Sequence, residues 1–183
     1  MLYTRKGDSG TTKTLHCDQR LSKTASIAEA LGTVDELDSW LGVCRAHCQG
    51  EALKIPQGLA LREVVKSVQH NLFIVQAHLA GADKKLSEDS VKEIEKIIDE
   101  IEQKLPPIKS FFLPGAGELG AYFDFARTIA RRAERRTVRV KEEGQIAVDP
   151  VTLQYLNRLS SLLYALARWA NHQSGAPEEA PHY

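Results

Sequence analysis

Four stretches of the chain place apolar residues at alternating steps of three and four, a spacing that collects them on one face of an α-helix. They run Ile27, Ala30, Val34, Leu37, Leu41, Cys44; Leu61, Val65, Val68, Leu72, Val75, Leu79; Val91, Ile94, Ile98, Ile101, Leu105; and Leu156, Leu159, Leu163, Leu166, Ala170. A fifth stretch, about 119–141, carries Tyr122, Ala126, Ile129, Ala130 and Ala133 on one side. Narrow seams of this kind belong to helices packed at shallow angles, so the expected fold is an all-α helical bundle. The breaks agree. Gly50, Pro56 and Gly58 separate the first two stripes, and residues 81–87 the next two, with Ser87 as N-cap ahead of Glu88 and Asp89. Pro106 and Pro107 stop the third helix, Pro114-Gly115 keeps the next link irregular, and Asp149-Pro150 reads as an N-cap followed by proline at the first helical position. Residues 1–22 carry no stripe and read as an ordered loop, 23–173 as the bundle and 174–183 as a disordered tail of a single domain.

A bundle alone leaves function open. Composition narrows it. Lys plus Arg and Asp plus Glu are 24 each, and the zero net charge argues against a nucleic-acid binder, which needs a positive field. No apolar run approaches the ~20 residues that span a bilayer, so no membrane association is expected. Met1 to Thr14 is polar, with neither the apolar core of a secretory signal nor the arginine pattern of a transit peptide. Cys17, Cys44 and Cys48 form no disulfide framework, which fits a reducing cytoplasm.

The residues outside the stripes carry the chemistry. Thr4-Arg5-Lys6-Gly7-Asp8-Ser9-Gly10-Thr11-Thr12 combines glycines that let backbone N–H groups converge with hydroxyls and cations, an inventory suited to a polyphosphate. It lacks the spacing of a Walker A loop, and a plain polar arm is the competing reading. Six arginines (Arg127, Arg131, Arg132, Arg135, Arg136, Arg139) surround Glu134 on one helix. Arginine forks bind phosphate oxygens in pairs. A solvated face, charge-matched to the acidic third helix, accounts well for Arg132, Arg136 and Arg139 and less well for Arg127 and Arg131, which flank the apolar stripe. Asp35, Glu36 and Asp38 offer carboxylates at i and i+3 that could act as an acid–base pair or ligate a metal, but taken alone they read as a solvated face. Phe111-Phe112-Leu113-Pro114-Gly115 either plugs the core or lines a pocket at a bundle end. Asn157 and Arg158 open the last helix. Cys44, His47 and Cys48 resemble half a metal site without the other half, so buried thiols are expected. His70 and His78 read as structural or exposed. The single Glu-x-x-His, Glu179 to His182, lies in the proline-containing tail, which rules out a di-iron bundle.

Together these segments resemble one family. TRKGDSGTT at 4–12, EALGTVDELDSWLG at 29–42, FFLPGAGELGAYFDFARTIARRAER at 111–135 and YLNRLSSLLYALAR at 155–168 are similar, in order and spacing, to blocks of the PduO-type cobalamin adenosyltransferases. The resemblance implies a five-helix bundle that forms a homotrimer with active sites between subunits. It implies an enzyme that moves the 5′-deoxyadenosyl group of ATP to cob(I)alamin, giving adenosylcobalamin and triphosphate. On the matching positions, Thr4, Arg5, Lys6, Gly7, Gly10, Thr11, Thr12 and Lys23 would wrap the ATP. Arg131, Arg132, Glu134 and Arg135 would hold the triphosphate and its magnesium, with Glu134 as the contact to the metal, and Asn157 the nucleotide. Asp35 and Arg127 would bridge subunits and support the cobalamin side, and Phe111 would occupy the lower face of the corrin. A reductase and an adenosylcobalamin-dependent enzyme are the further partners implied. Ser161 stands where the family commonly has Asp, Ala116 replaces a Gly, Asp124 falls where His is frequent and Asp38 where Asn is frequent. A sensor or chaperone that binds both ligands without turnover, and a plain helical docking protein, are the alternative readings.

Overall fold

The computed structural model describes residues 3–14, 20–48, 53–144 and 146–182. Cys17, Gly50 and Tyr183 lie outside them. Among the described residues there are five helices: α1 (Ser26–His47), α2 (Leu61–Leu79), α3 (Glu88–Glu102), α4 (Glu118–Glu142) and α5 (Pro150–Ser174). Each coincides with one of the five stripes. Two residue pairs, β1 (Thr11–Thr12) and β2 (Leu21–Ser22), join antiparallel with Thr11 opposite Ser22. This small ladder was not expected, because two-residue strands carry no alternation to read.

Helix α4 is the centre of the arrangement. It packs against α1 on one flank and α5 on the other, while α2 leans on α1 and α3 on α5. The stripes meet in one core that includes Leu37, Leu41, Leu72, Phe123, Ile129, Leu156 and Leu159, all buried. Burying a side chain of this size contributes ~1.5–3 kcal/mol relative to leaving it in water, so the seams supply most of the driving force. The α4–α5 contact is close at Gly120, where an added Cβ would come within 2.0 Å of Asn171 Oδ1. A side chain there would displace the buried Asn171 amide and crowd the Ala167 carbonyl at 3.1 Å.

The helix ends follow local chemistry. Asp149 caps α5 by accepting the Val151 N–H at 2.8 Å, with Pro150 at the first helical position. The Asp149 N–H itself donates to Nε2 of buried His78 at 3.0 Å, so that histidine ties α2 to the start of α5. Ser87 occupies the N-cap position of α3 without a side-chain cap bond. Gly175, in the left-handed region at φ 68, closes α5, and the Ala176 N–H reaches back to the Asn171 carbonyl at 3.0 Å. The residues after it, read from the sequence as a disordered tail, lie against the bundle: Leu113 N–H donates to the Glu179 carbonyl at 2.8 Å, and Glu178 pairs with Arg168 at 3.0 Å.

Cys44 and Cys48 are both buried, and burial pushes their thiols up to about 12 and about 11. They are protonated at neutral pH and serve as small apolar side chains.

Candidate active site

The arginines of α4 sort by flank. On the α1 side, Arg132 pairs with Glu36 and Arg136 with Glu29 at 3.7 Å, and Arg139 pairs with Glu143 at 2.8 Å near the helix end. Glu143 also accepts from the Ser26 hydroxyl, and both contacts hold its carboxyl below the usual range, the serine bond first. On the other flank, Arg127 pairs with Asp124 at 3.2 Å. Among the described residues, Arg131 and Arg135 are the α4 arginines with no ion pair or side-chain hydrogen bond. Both are exposed, and their forks, with no paired counter-charge among those residues, are open to an anion.

Two hollows lie on the α5 side of α4. The larger, about 520 Å³, sits between α3, α4, α5 and the segment joining α3 to α4. Ile98, Ile101, Leu105 and Phe112 make much of its wall, Phe111 stands at its edge, and Asp124, Arg127 and Tyr164 contribute polar groups. The smaller, about 280 Å³, is lined by Arg131, Glu134, Arg135, Val138 and Asn157. Arg131 lines both. The helix thus places one guanidinium between a large, mostly apolar hollow and a small, charged one.

Asn157 is held rather than free. Its Nδ2 donates to Glu134 Oε1 at 2.8 Å, its Oδ1 accepts from Arg158 Nη1 at 2.8 Å, and Arg158 is tied in turn to Glu95 at 2.8 Å. Asp124 is half-buried, and desolvation pushes its carboxyl up against the opposing pull of Arg127. Burial also raises the Tyr164 phenol. Phe111 is 81% exposed, so its ring is presented outward instead of plugging the core.

The N-terminal loop is built as a separate turn. Arg5 (φ 58) and Gly10 (φ 77) take left-handed backbone conformations. Arg20 gathers the loop, donating to the Lys6 carbonyl, to the Thr11 carbonyl at 2.8 Å and to Thr11 Oγ1 at 2.8 Å. The Lys23 N–H donates to the Gly10 carbonyl at 2.9 Å, and its ammonium lies 3.2 Å from where a Cβ on Gly7 would be. Thr4, Arg5 and Lys6 are exposed; Gly7, Thr11 and Thr12 are half-buried. Sequence reasoning grouped Lys23 with this loop and missed Arg20, whose distance from the motif hides a role that only the β1–β2 pairing creates.

The chain brings together Arg127, Arg131, Glu134, Arg135, Asn157 and Phe111 around the two hollows. It does not bring the others to them. Arg132 lies on the opposite flank. Among the described residues, no hydrogen bond or ion pair of Thr4 to Thr12 reaches Arg131, Glu134, Arg135 or Asn157, and exposed Asp35 has no ion pair with Arg127. Asp124, Tyr164 and Arg168 line the larger hollow without having been singled out as ligands; Asp124 sits one turn from Arg127, whereas Tyr164 and Arg168 lie two and three turns beyond Asn157 on α5.

Known proteins resemble this chain along most of its length. A family-level sequence profile described as cobalamin adenosyltransferase matches residues 2–170. The chain is 41% identical over 180 residues to the corrinoid adenosyltransferase PduO of Citrobacter freundii, covering 94% of this chain and 50% of that protein. It is 38% identical to a corrinoid adenosyltransferase of Bacillus subtilis, covering 95% of this chain and 88% of that one. The chain spans about half the length of the PduO relatives from Citrobacter freundii and Salmonella typhimurium. Among solved structures, a phenylalanine-to-histidine variant of a PduO-type ATP:corrinoid adenosyltransferase from Lactobacillus reuteri, complexed with cobalamin and ATP, superposes with a TM-score of 0.90 at 30% identity, covering 100% of this chain and 97% of that one. An arginine-to-lysine variant of the same kind of enzyme, complexed with ATP, gives a TM-score of 0.88. With the profile covering most of its length and its five helices matching those structures, this chain belongs to the cobalamin adenosyltransferase family.

Proposed function

We propose that this protein transfers the 5′-deoxyadenosyl group of ATP to the cobalt of cob(I)alamin, releasing triphosphate. The observation that carries the reading is Arg131, unpaired and shared by an anion-suited hollow and an apolar one large enough for part of a corrin. The cobalt(I) lone pair attacks the 5′-carbon, a cobalt–carbon bond forms, and the carbon–oxygen bond to the triphosphate breaks with its electrons leaving on oxygen. The difficult electronics belong to the corrinoid, so the protein's tasks are placement and charge. Holding two reactants in line contributes up to ~7–11 kcal/mol. Arg131 and Arg135 would meet the negative charge that grows on the leaving triphosphate, and Asn157, fixed by Glu134 and Arg158, would hold the nucleotide.

Magnesium would travel with the triphosphate. Glu134 keeps one carboxylate oxygen beyond its bond to Asn157, and among the described residues no group of three or more metal-ligating side chains could hold an ion alone. Bound there, the ion would neutralise phosphate charge. Phe111, exposed at the rim of the larger hollow, would press on the lower corrin face and favour a cobalt without its lower axial base, which is easier to reduce.

The remaining ligands of the reading, Thr4, Arg5, Lys6, Gly7, Gly10, Thr11, Thr12, Lys23 and Asp35, would come from a neighbouring copy in a homotrimer. What supports assembly is that these groups are absent from the lining of the hollows within one chain, while Phe125, half exposed, meets Trp40 edge-on with ring centres 4.7 Å apart on the α1–α4 face. A cytoplasmic setting, a reductase that delivers cobalt(I) and an enzyme that uses the product belong to the same reading. Among the described residues no helix is long and apolar enough to cross a membrane. The test is anaerobic incubation with reduced cobalamin, magnesium and ATP. A cobalt–carbon bond in the corrin spectrum, with one triphosphate per bond, is expected; binding without that spectral change would reduce the protein to a sensor.

A further inference from the structure

Arg168 is 6% exposed, on α5, in the wall of the larger hollow. Burying a guanidinium is costly unless it is partnered, and here two parts of the chain partner it, the segment after α5 and the link from α3 to α4. Nε donates to Glu178 Oε2 at 3.0 Å, in the segment after α5. Nη2 donates to the Pro106 carbonyl at 3.2 Å, at the start of the link from α3 to α4. The guanidinium lies over the Phe112 ring, 5.2 Å from its centre. Glu178 is steadied from a second side by Asn171 Nδ2 at 3.4 Å, and one residue on, the Glu179 carbonyl accepts the Leu113 N–H at 2.8 Å.

The link so held carries Phe111. That ring is 81% exposed, so its place is set largely by the residues beside it. Phe112 on one side lies under Arg168, and Leu113 on the other is tied to Glu179. We infer that Arg168 and Glu178 are positioning residues of the corrinoid site: their ion pair clasps the 106–113 link to α5 and fixes Phe111 at the rim of the larger hollow. The inference rests on the proposed function only in naming the ligand as a corrinoid.

The test uses the full chain with Glu178→Gln, Glu178→Asp and Arg168→Lys, titrating cob(II)alamin in the presence of ATP and following its visible spectrum. Lysine keeps the charge but lacks the fork that reaches Glu178 and the Pro106 carbonyl together. Glu178→Gln and Arg168→Lys should each weaken cob(II)alamin binding about tenfold and shift the bound spectrum toward that of the free corrinoid. ATP affinity should stay within about twofold, and Glu178→Asp should recover most of the loss. Unchanged corrinoid affinity and spectrum in both variants would overturn the inference. So would a parallel loss of both ligands tracking a lower Tm. Turnover by the unaltered protein is a separate readout: a chain that binds corrinoid without transfer sinks the enzyme reading and leaves the clasp measurable.

Discussion

The two flanks of α4 are made of the same residue type and have opposite characters. Toward α1, Arg132 and Arg136 each find a glutamate on the neighbouring helix. Toward α5, Arg131 and Arg135 find none, and the acid beside them, Glu134, is already engaged by Asn157. The paired arginines of the α1 flank are part of the scaffold. An unpaired one keeps a positive field pointed at a hollow, at some cost in repulsion that a bound anion removes. Neighbours in sequence such as Arg131 and Arg132 therefore do different work, because one residue of helix turns the side chain by about 100° and onto a different partner.

Substitutions on the two flanks should separate those roles. The largest effect is expected at Arg131→Ala, which removes a donor to the departing triphosphate: a loss of ~2.7–4 kcal/mol in transition-state stabilisation, read as kcat/KM, with Tm nearly unchanged. Normal turnover in that variant would erase the distinction between flanks. Next is Phe111→Ala, expected to slow adenosylation about tenfold while leaving ATP affinity nearly intact. Equal turnover would deny the ring its place against the corrin. Arg136→Ala, on the paired flank, should cost at most ~1 kcal/mol in a denaturant melt and leave kcat/KM within about twofold.

The smallest effect is a slope. Asp38 is buried on α1, and its Oδ1 has no hydrogen bond. Burial raises its carboxyl above the usual range, with Asp35 adding to the rise and Gln69, Arg45 and His70 opposing it. A carboxyl that holds its proton more tightly folded than unfolded makes stability fall as pH rises from its unfolded value through its folded one. Asp38→Asn should flatten that part of the stability–pH curve. A curve of unchanged shape would show that the carboxylate is well solvated.

Much of this was legible beforehand. Each helix follows an apolar stripe, and Asp149-Pro150 and Gly175 mark the two ends of α5 by chemistry that is local to the chain. The glycine-threonine loop and the arginine helix stand out because their composition serves no core. What stayed hidden depends on distant partners. Helical phase separates Arg131 from Arg132, but nothing in the sequence says that Glu36 of α1 waits for one and an open hollow for the other. Arg20 matters only because β1 and β2 pair, and Glu178 only because Gly175 turns the chain back toward Arg168. A glycine-proline-rich end reads as unstructured until the buried charge it neutralises is known.

Arg131 faces both hollows, so whatever fills one alters the electrostatic setting of the other. If nucleotide changes corrinoid affinity by some factor, corrinoid must change nucleotide affinity by that same factor, since the thermodynamic cycle has to close. A single guanidinium on a party wall thus makes order of addition a question about rates, while the equilibrium occupancy of the ternary complex is indifferent to which guest arrives first.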